Sequence, residues 1–219
     1  MTKEKIIAYL LQTPHNTNPA VVESLLDELL STKMVSSQEE LVAALAEGGE
    51  VALTGDVEIN QDIILTKNTN LDLNGKKIIA SKEHSGSYML KADGADLTIY
   101  GKGLISAGEA ANAIPVTATN GAKVKIMDGE YEGRGHLQCV YTNGGKAEIY
   151  GGVYRAVEGD ETKDLLNVKN TDKVEDIRVY GGTFIGRDPS LGDDALGGNF
   201  VVEGCRSVEI KKGVFKVEK

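Results

Sequence analysis

The residues best placed to do chemistry in this 219-residue chain are acids in two stretches, VEGDETKD (157–164) and GRDPSLGDDALGG (186–198). They gather Asp160, Glu161, Asp164, Asp188, Asp193 and Asp194, with Arg155 and Arg187 nearby. Two carboxylates a few ångströms apart around a sugar could hydrolyse a glycosidic bond, and carboxylate oxygens could hold calcium. The same composition also makes an ordinary solvated loop. The spacing matches neither an EF-hand loop nor the nine-residue calcium repeat, so the expectation is no metal, no cofactor and no catalytic residue.

Other catalytic patterns are weaker still. His15, His84 and His136 fall in separate regions, and no serine sits in a strained nucleophile elbow. The GKG and NGG runs lack the Lys-Ser/Thr partner of a phosphate loop. Cys139 and Cys205 lie far apart without a His or Cys at metal-ligand spacing, and two free thiols are expected. The formal charge is -9, from 33 acidic and 24 basic side chains, so a nucleic-acid footprint is missing. The start MTKEKIIAYLLQ is too broken by polar residues for a secretory signal, and no stretch approaches a membrane span.

The elements that must position these residues are read from periodicity. From Val51 onward the apolar pattern has period two, and an internal repeat recurs: LTIYGKGLI (97–105), VKIMDGEY (124–131), AEIYGGVY (147–154), IRVYGGTF (177–184) and VEIKKGVF (208–215), with LDLNGKKI (71–78) as a shorter relative. The motif glycines Gly103, Gly129, Gly152, Gly182 and Gly213 are 26, 23, 30 and 31 residues apart. Short strands joined by Asn/Asp/Gly turns, repeated at this period without intervening helices, predict a right-handed parallel β-helix of about six coils over residues 51–219. Leucine-rich repeats and propellers have other signatures and are excluded.

Stacked coils place equivalent residues in columns. Leu97, Val124, Ala147, Ile177 and Val208 are expected inside, as are Ile99, Ile126, Ile149, Val179 and Ile210. The residue after each central Ile or Val then faces outward. That column reads Tyr100, Met127, Tyr150, Tyr180 and Lys211, a stripe suited to a protein interface or to glycan contact. High strand propensity of tyrosine is the plainer account of the same residues.

Helical patterns precede the strands. Thr2 caps a first helix with Ile6, Ile7, Leu10 and Leu11 on one face; Asn18 and Pro19 start a second carrying Val22, Leu25, Leu26 and Leu29. A hairpin of two such helices, within residues 1–35, leaves an apolar stripe too wide for a pair alone and predicts self-assembly. A third helix within 36–50, opened by SSQEE and stopped at Gly48 and Gly49, is placed to cap the exposed end of the stack.

Two stretches resemble known families. SSQEELVAALAEGGEVALTGDVEINQDIILTKNTNLDLNGKKI resembles the first coils of pectate-lyase-like β-helix proteins, in which a capping helix leads to an LDLNGK-type turn. That resemblance implies a fold, since the fold hosts lyases, hydrolases and inert fibres alike. KEKIIAYLLQTPHNTNPAVVESLLDELL resembles helix-turn-helix segments of head-fibre and related virion proteins of small tailed phages. It implies a homotrimeric, non-enzymatic virion protein, a head fibre or capsid decoration, made in the host cytoplasm and displayed on the particle. Its partners would be copies of itself, capsid proteins met through the N-terminal helices, and a host glycan, with neither nucleic acid nor membrane. The alternative is a tailspike-type, glycan-depolymerising β-helix using the loop carboxylates.

Overall fold

Branched apolar residues alternating with polar ones give short strands, and glycine-rich corners let those strands wind around one core. The computed structural model describes residues 31–110, 113–134, 138–158, 164–169, 171–193 and 195–219. The expected N-terminal hairpin, with Ile6, Ile7, Leu10, Val22, Leu25, Leu26 and Leu29, lies outside them. The chain divides into Met1–Lys33 and Met34–Lys219.

Strand β1 (Lys33–Val35) leads to helix α1 (Gln38–Glu47). Ser37 caps α1 by accepting the Glu40 N–H at 3.2 Å, while the Glu40 carboxylate accepts the Ser36 N–H at 2.7 Å. Those bonds from Ser36 hold the Glu40 carboxyl below its ordinary pKa. Leu41, Ala44 and Leu45 are buried where α1 packs on the first coil. Helix α1 thus lies against the strands of the first coil, with its apolar side chains turned away from water.

The first coil holds β2 (Gly49–Leu53), β3 (Val57–Ile59) and β4 (Ile63–Leu65). The second holds β5 (Thr69–Asp72), β6 (Lys77–Ala80) and β7 (Tyr88–Asp93); the third β8 (Leu97–Tyr100), β9 (Leu104–Ser106) and β10 (Ile114–Thr119). The fourth holds β11 (Lys123–Ile126), β12 (Glu130–Gly133) and β13 (Val140–Asn143); the fifth β14 (Lys146–Ile149), β15 (Val153–Ala156) and β16 (Leu166–Val168). After them β17 (Ile177–Val179) and β18 (Gly182–Ile185) add a strand each to the first two sides. First strands make parallel sheet A, second strands sheet B and third strands sheet C, so the chain is a parallel β-solenoid.

Register confirms the inner columns of the regular part. Val51, Leu71, Ile99, Ile126, Ile149 and Val179 pair in succession and are fully buried. Burying each contributes about 1.5–3 kcal/mol over leaving it exposed. On sheet B the rings of Tyr131, Tyr154 and Phe184 stack inside, with centroids 5.1 and 4.8 Å apart. Each tyrosine hydroxyl donates back to its own corner, Tyr131 to the Asp128 carbonyl and Tyr154 to the Gly151 carbonyl, both at 2.9 Å. The corner glycine is obligatory there: Gly152 has φ 96°, and a Cβ would lie 2.9 Å from the Gly129 carbonyl oxygen.

The coil count differs from the expected six. Sheet C has five strands, and the chain makes about four full turns between the first and the fifth of them. The fifth motif copy does not add a coil. VEIKKGVF instead folds as an antiparallel hairpin, β19 (Arg206–Lys211) and β20 (Val214–Glu218), with β20 lying antiparallel to β18. Val208 is only partly buried and Ile210 is 57% exposed, against their expected places inside. The corner differs as well. A Cβ at Gly151 or Gly181 would come within 2.5 Å of a carbonyl of the preceding coil, whereas Lys212 stands there in the last copy; Asp128 fills the same position in a coil that closes regularly, so a side chain there does not by itself turn the chain away. The chain reverses at Gly213, where φ is 68° and nothing crowds the site.

Candidate functional site

The outer face of sheet A gathers more reactive polar chemistry than the loops do. In β11, β14 and β17 the inward residues are Val124, Ile126, Ala147, Ile149, Ile177 and Val179, so alternation turns Lys123, Lys125, Lys146, Glu148 and Arg178 outward. Register sets Lys123 beside Lys146, and Lys125, Glu148 and Arg178 in one row. One residue further on, the main-chain ladder continues through Met127, Tyr150 and Tyr180, whose N–H groups donate to Ile99, Ile126 and Ile149.

The structure thus brings Tyr100, Met127, Tyr150 and Tyr180 onto one face. Met127 and Tyr150 are 45% and 40% exposed, and the other two are half-buried. Lys211, expected in the same column, instead belongs to the C-terminal hairpin. Tyr150 and Tyr180 stack at 4.7 Å with 6° between their planes, and the Arg178 guanidinium lies 5.5 Å from the Tyr180 ring centre. Tyr150 donates its hydroxyl to Glu148 at 3.0 Å. Partial burial, followed by that carboxylate, raises the Tyr150 phenol above its usual pKa. A ring stacked on its neighbour presents an edge and a hydroxyl, so this pair offers little free face for a sugar.

Beside the stripe runs a groove of about 730 Å³. Its cations are Lys123, Lys125, Lys146, Lys173 and Arg178. Its acids are Glu148, Glu175 and Asp176. Lys173, Glu175 and Asp176 come from a one-turn 3-10 helix, Val174–Asp176, and the residue capping it. Asp176 accepts the Lys173 N–H at 3.2 Å and lies 3.9 Å from the Lys146 ammonium. On a chain of net charge -9, five cations against three acids make this a locally positive surface.

The loop acids among the described residues have other duties. Asp193 is buried at 1% exposure, and its carboxylate accepts N–H bonds from Ala195 at 2.8 Å, Leu196 at 2.9 Å and Val168 at 3.1 Å. It closes the free edge of sheet C at β16 and turns the chain at the same time. Asp188 caps a short 3-10 turn by accepting the Ser190 N–H. Asp164 is buried 3.8 Å from the Arg187 guanidinium. Asp160, Glu161, Asp194, His15 and His136 lie outside the described residues.

Among the described residues no group of three or more His, Cys, Asp or Glu is placed to hold a metal ion, and no helix is long and apolar enough to cross a membrane. Both cysteines are free thiols. Burial pushes the Cys139 thiol up to about 12, which leaves it without a thiolate at neutral pH. His84 is buried, accepting the Gly86 N–H at 3.3 Å, with Nε2 3.9 Å from Asp62.

No protein-family model, no curated protein and no solved structure matches the chain. The groove cations were overlooked in the sequence, although a signal was present. KVKI, KAEI and IRV each carry a charge between two inward residues, the outward row one step before the tyrosines. What the sequence could not supply was the 3-10 turn that brings Lys173 and its neighbours alongside.

Proposed function

We propose that the chain is a non-enzymatic structural protein displayed on the surface of a tailed-phage particle, as a head fibre or capsid decoration. Residues 1–35 attach and assemble it, as a homotrimer, and the solenoid presents the outer face of sheet A as its contact surface. The virion setting rests on the resemblance of residues 3–30 to head-fibre segments. The observation carrying the non-enzymatic reading is the carboxylate of Asp193. All three of its N–H bonds come from backbone, so this loop acid is spent on holding the fold.

Sedimentation of the full chain tests the assembly, with a trimer expected at micromolar concentration. A stable monomer would remove that part of the proposal. Incubation with host capsular polysaccharide tests the chemistry, and the expected result is no release of reducing ends or unsaturated sugar. Release that disappears in a folded Asp193→Asn variant, which keeps a carbonyl acceptor for the backbone, would establish the depolymerase instead.

A further inference from the structure

We infer that the groove on sheet A is a binding site for a short acidic carbohydrate, two or three sugar units bearing carboxylate or sulfate groups. The inference rests on the reading of sheet A's outer face as the contact surface, and it names the chemistry of what is contacted. Three features lead to it.

The first is size. A volume of about 730 Å³ lies within the ordinary range for a small-ligand site. The groove spans β11, β14 and β17, and adjacent strands lie about 4.8 Å apart, close to the length of one sugar unit. The second is the arrangement of cations. Lys123 and Lys146 are in register on neighbouring strands, an unfavourable placement for like charges that an anion between them relieves. Asp176 answers only one end of that pair, 3.9 Å from Lys146.

The third feature separates a sugar from other anions. Glu148, Glu175 and Asp176 line the same groove and would repel a uniformly acidic peptide or a polyphosphate. Toward a polyhydroxylated ligand they act as acceptors for hydroxyl hydrogens, while the ammonium groups meet its acidic substituents. The stacked tyrosines flank the groove with edges and hydroxyls rather than open ring faces, so recognition here is by hydrogen bonds and charge.

The test uses the full chain and four probes: a hyaluronan tetrasaccharide for carboxylate, a κ-carrageenan tetrasaccharide for sulfate, maltotetraose as the neutral sugar and hexaglutamate as the acidic peptide. Calorimetry and amide chemical shifts are expected to show saturable binding of at least one acidic saccharide. The two acidic arms tell carboxylate from sulfate. Binding should weaken at least tenfold in Lys125→Glu/Lys146→Glu, and to a lesser degree in Lys125→Met/Lys146→Met, both changed only at outward positions. Lys82→Glu, an exposed lysine in the loop after β6, should bind as the unaltered chain does. Absence of binding by both acidic saccharides, equal binding of maltotetraose or hexaglutamate, or an equal loss in Lys82→Glu would each overturn the inference. A monomer in sedimentation would remove the assembly proposal and leave the groove standing; a trimer that binds neither saccharide would remove the groove alone.

Discussion

The solenoid contains two aromatic ladders of nearly the same geometry, one inside sheet B and one outside sheet A. Tyr131, Tyr154 and Phe184 stack at 5.1 and 4.8 Å within the core, while Tyr150 and Tyr180 stack at 4.7 Å on the surface. Stacking is thus what in-register parallel coils do to any repeated ring, since the strand spacing already matches the thickness of a stacked pair. Burial separates the two. The inner rings have no exposure and return their hydroxyls to corner carbonyls, whereas the outer pair stays partly in water and gives one hydroxyl to Glu148. The outer ladder therefore needs no ligand to explain its shape, and the case for a binding face passes to the cations beside it.

The comparison breaks if inward and outward positions prove energetically alike. Ile149→Asp should have the largest effect, because Ile149 is fully buried between Ile126 and Val179 and an unpaired carboxylate there has no partner. Loss of cooperative melting, or insoluble protein, is expected. A soluble variant with an unchanged melting transition would mean that the inner columns are wrongly assigned. Tyr154→Ala comes next. It removes the middle ring of the inner ladder together with the bond to Gly151, at a cost of about 3–5 kcal/mol in urea unfolding.

The legibility of the molecule follows the same division. Period two together with the recurrent Gly identified sheet A and its corner, because a repeated local pattern fixes both burial and register, whereas the inward place of Tyr131, Tyr154 and Phe184 on sheet B comes from the structure. The outward row of tyrosines was readable by alternation from the same strands. VEIKKGVF keeps the apolar pattern of the other copies, and periodicity alone does not distinguish a strand that adds a coil from a hairpin that lies antiparallel to β18. The groove was half hidden. Its strand lysines follow alternation, but the turn carrying Lys173, Glu175 and Asp176 is positioned by chain path alone. The acids of 186–198 drew attention by composition, and only the hydrogen bonds show that Asp193 serves the sheet edge and Asp188 caps a turn.

Tyr180→Ala sharpens the comparison with the smallest effect. The ring loses one stacking partner, Tyr150, and one guanidinium, Arg178, both at a surface where water replaces part of each contact. A loss of under about 1.5 kcal/mol is expected, well below that of Tyr154→Ala. The variant also frees one face of Tyr150. If acidic-saccharide binding is governed by the groove cations, affinity should change little; if ring faces matter, exposing one should strengthen it. A urea midpoint lowered as far as in Tyr154→Ala would mean that the outer ladder is part of the core in solution, covered by something the single chain does not provide, and the surface contact would then belong to assembly.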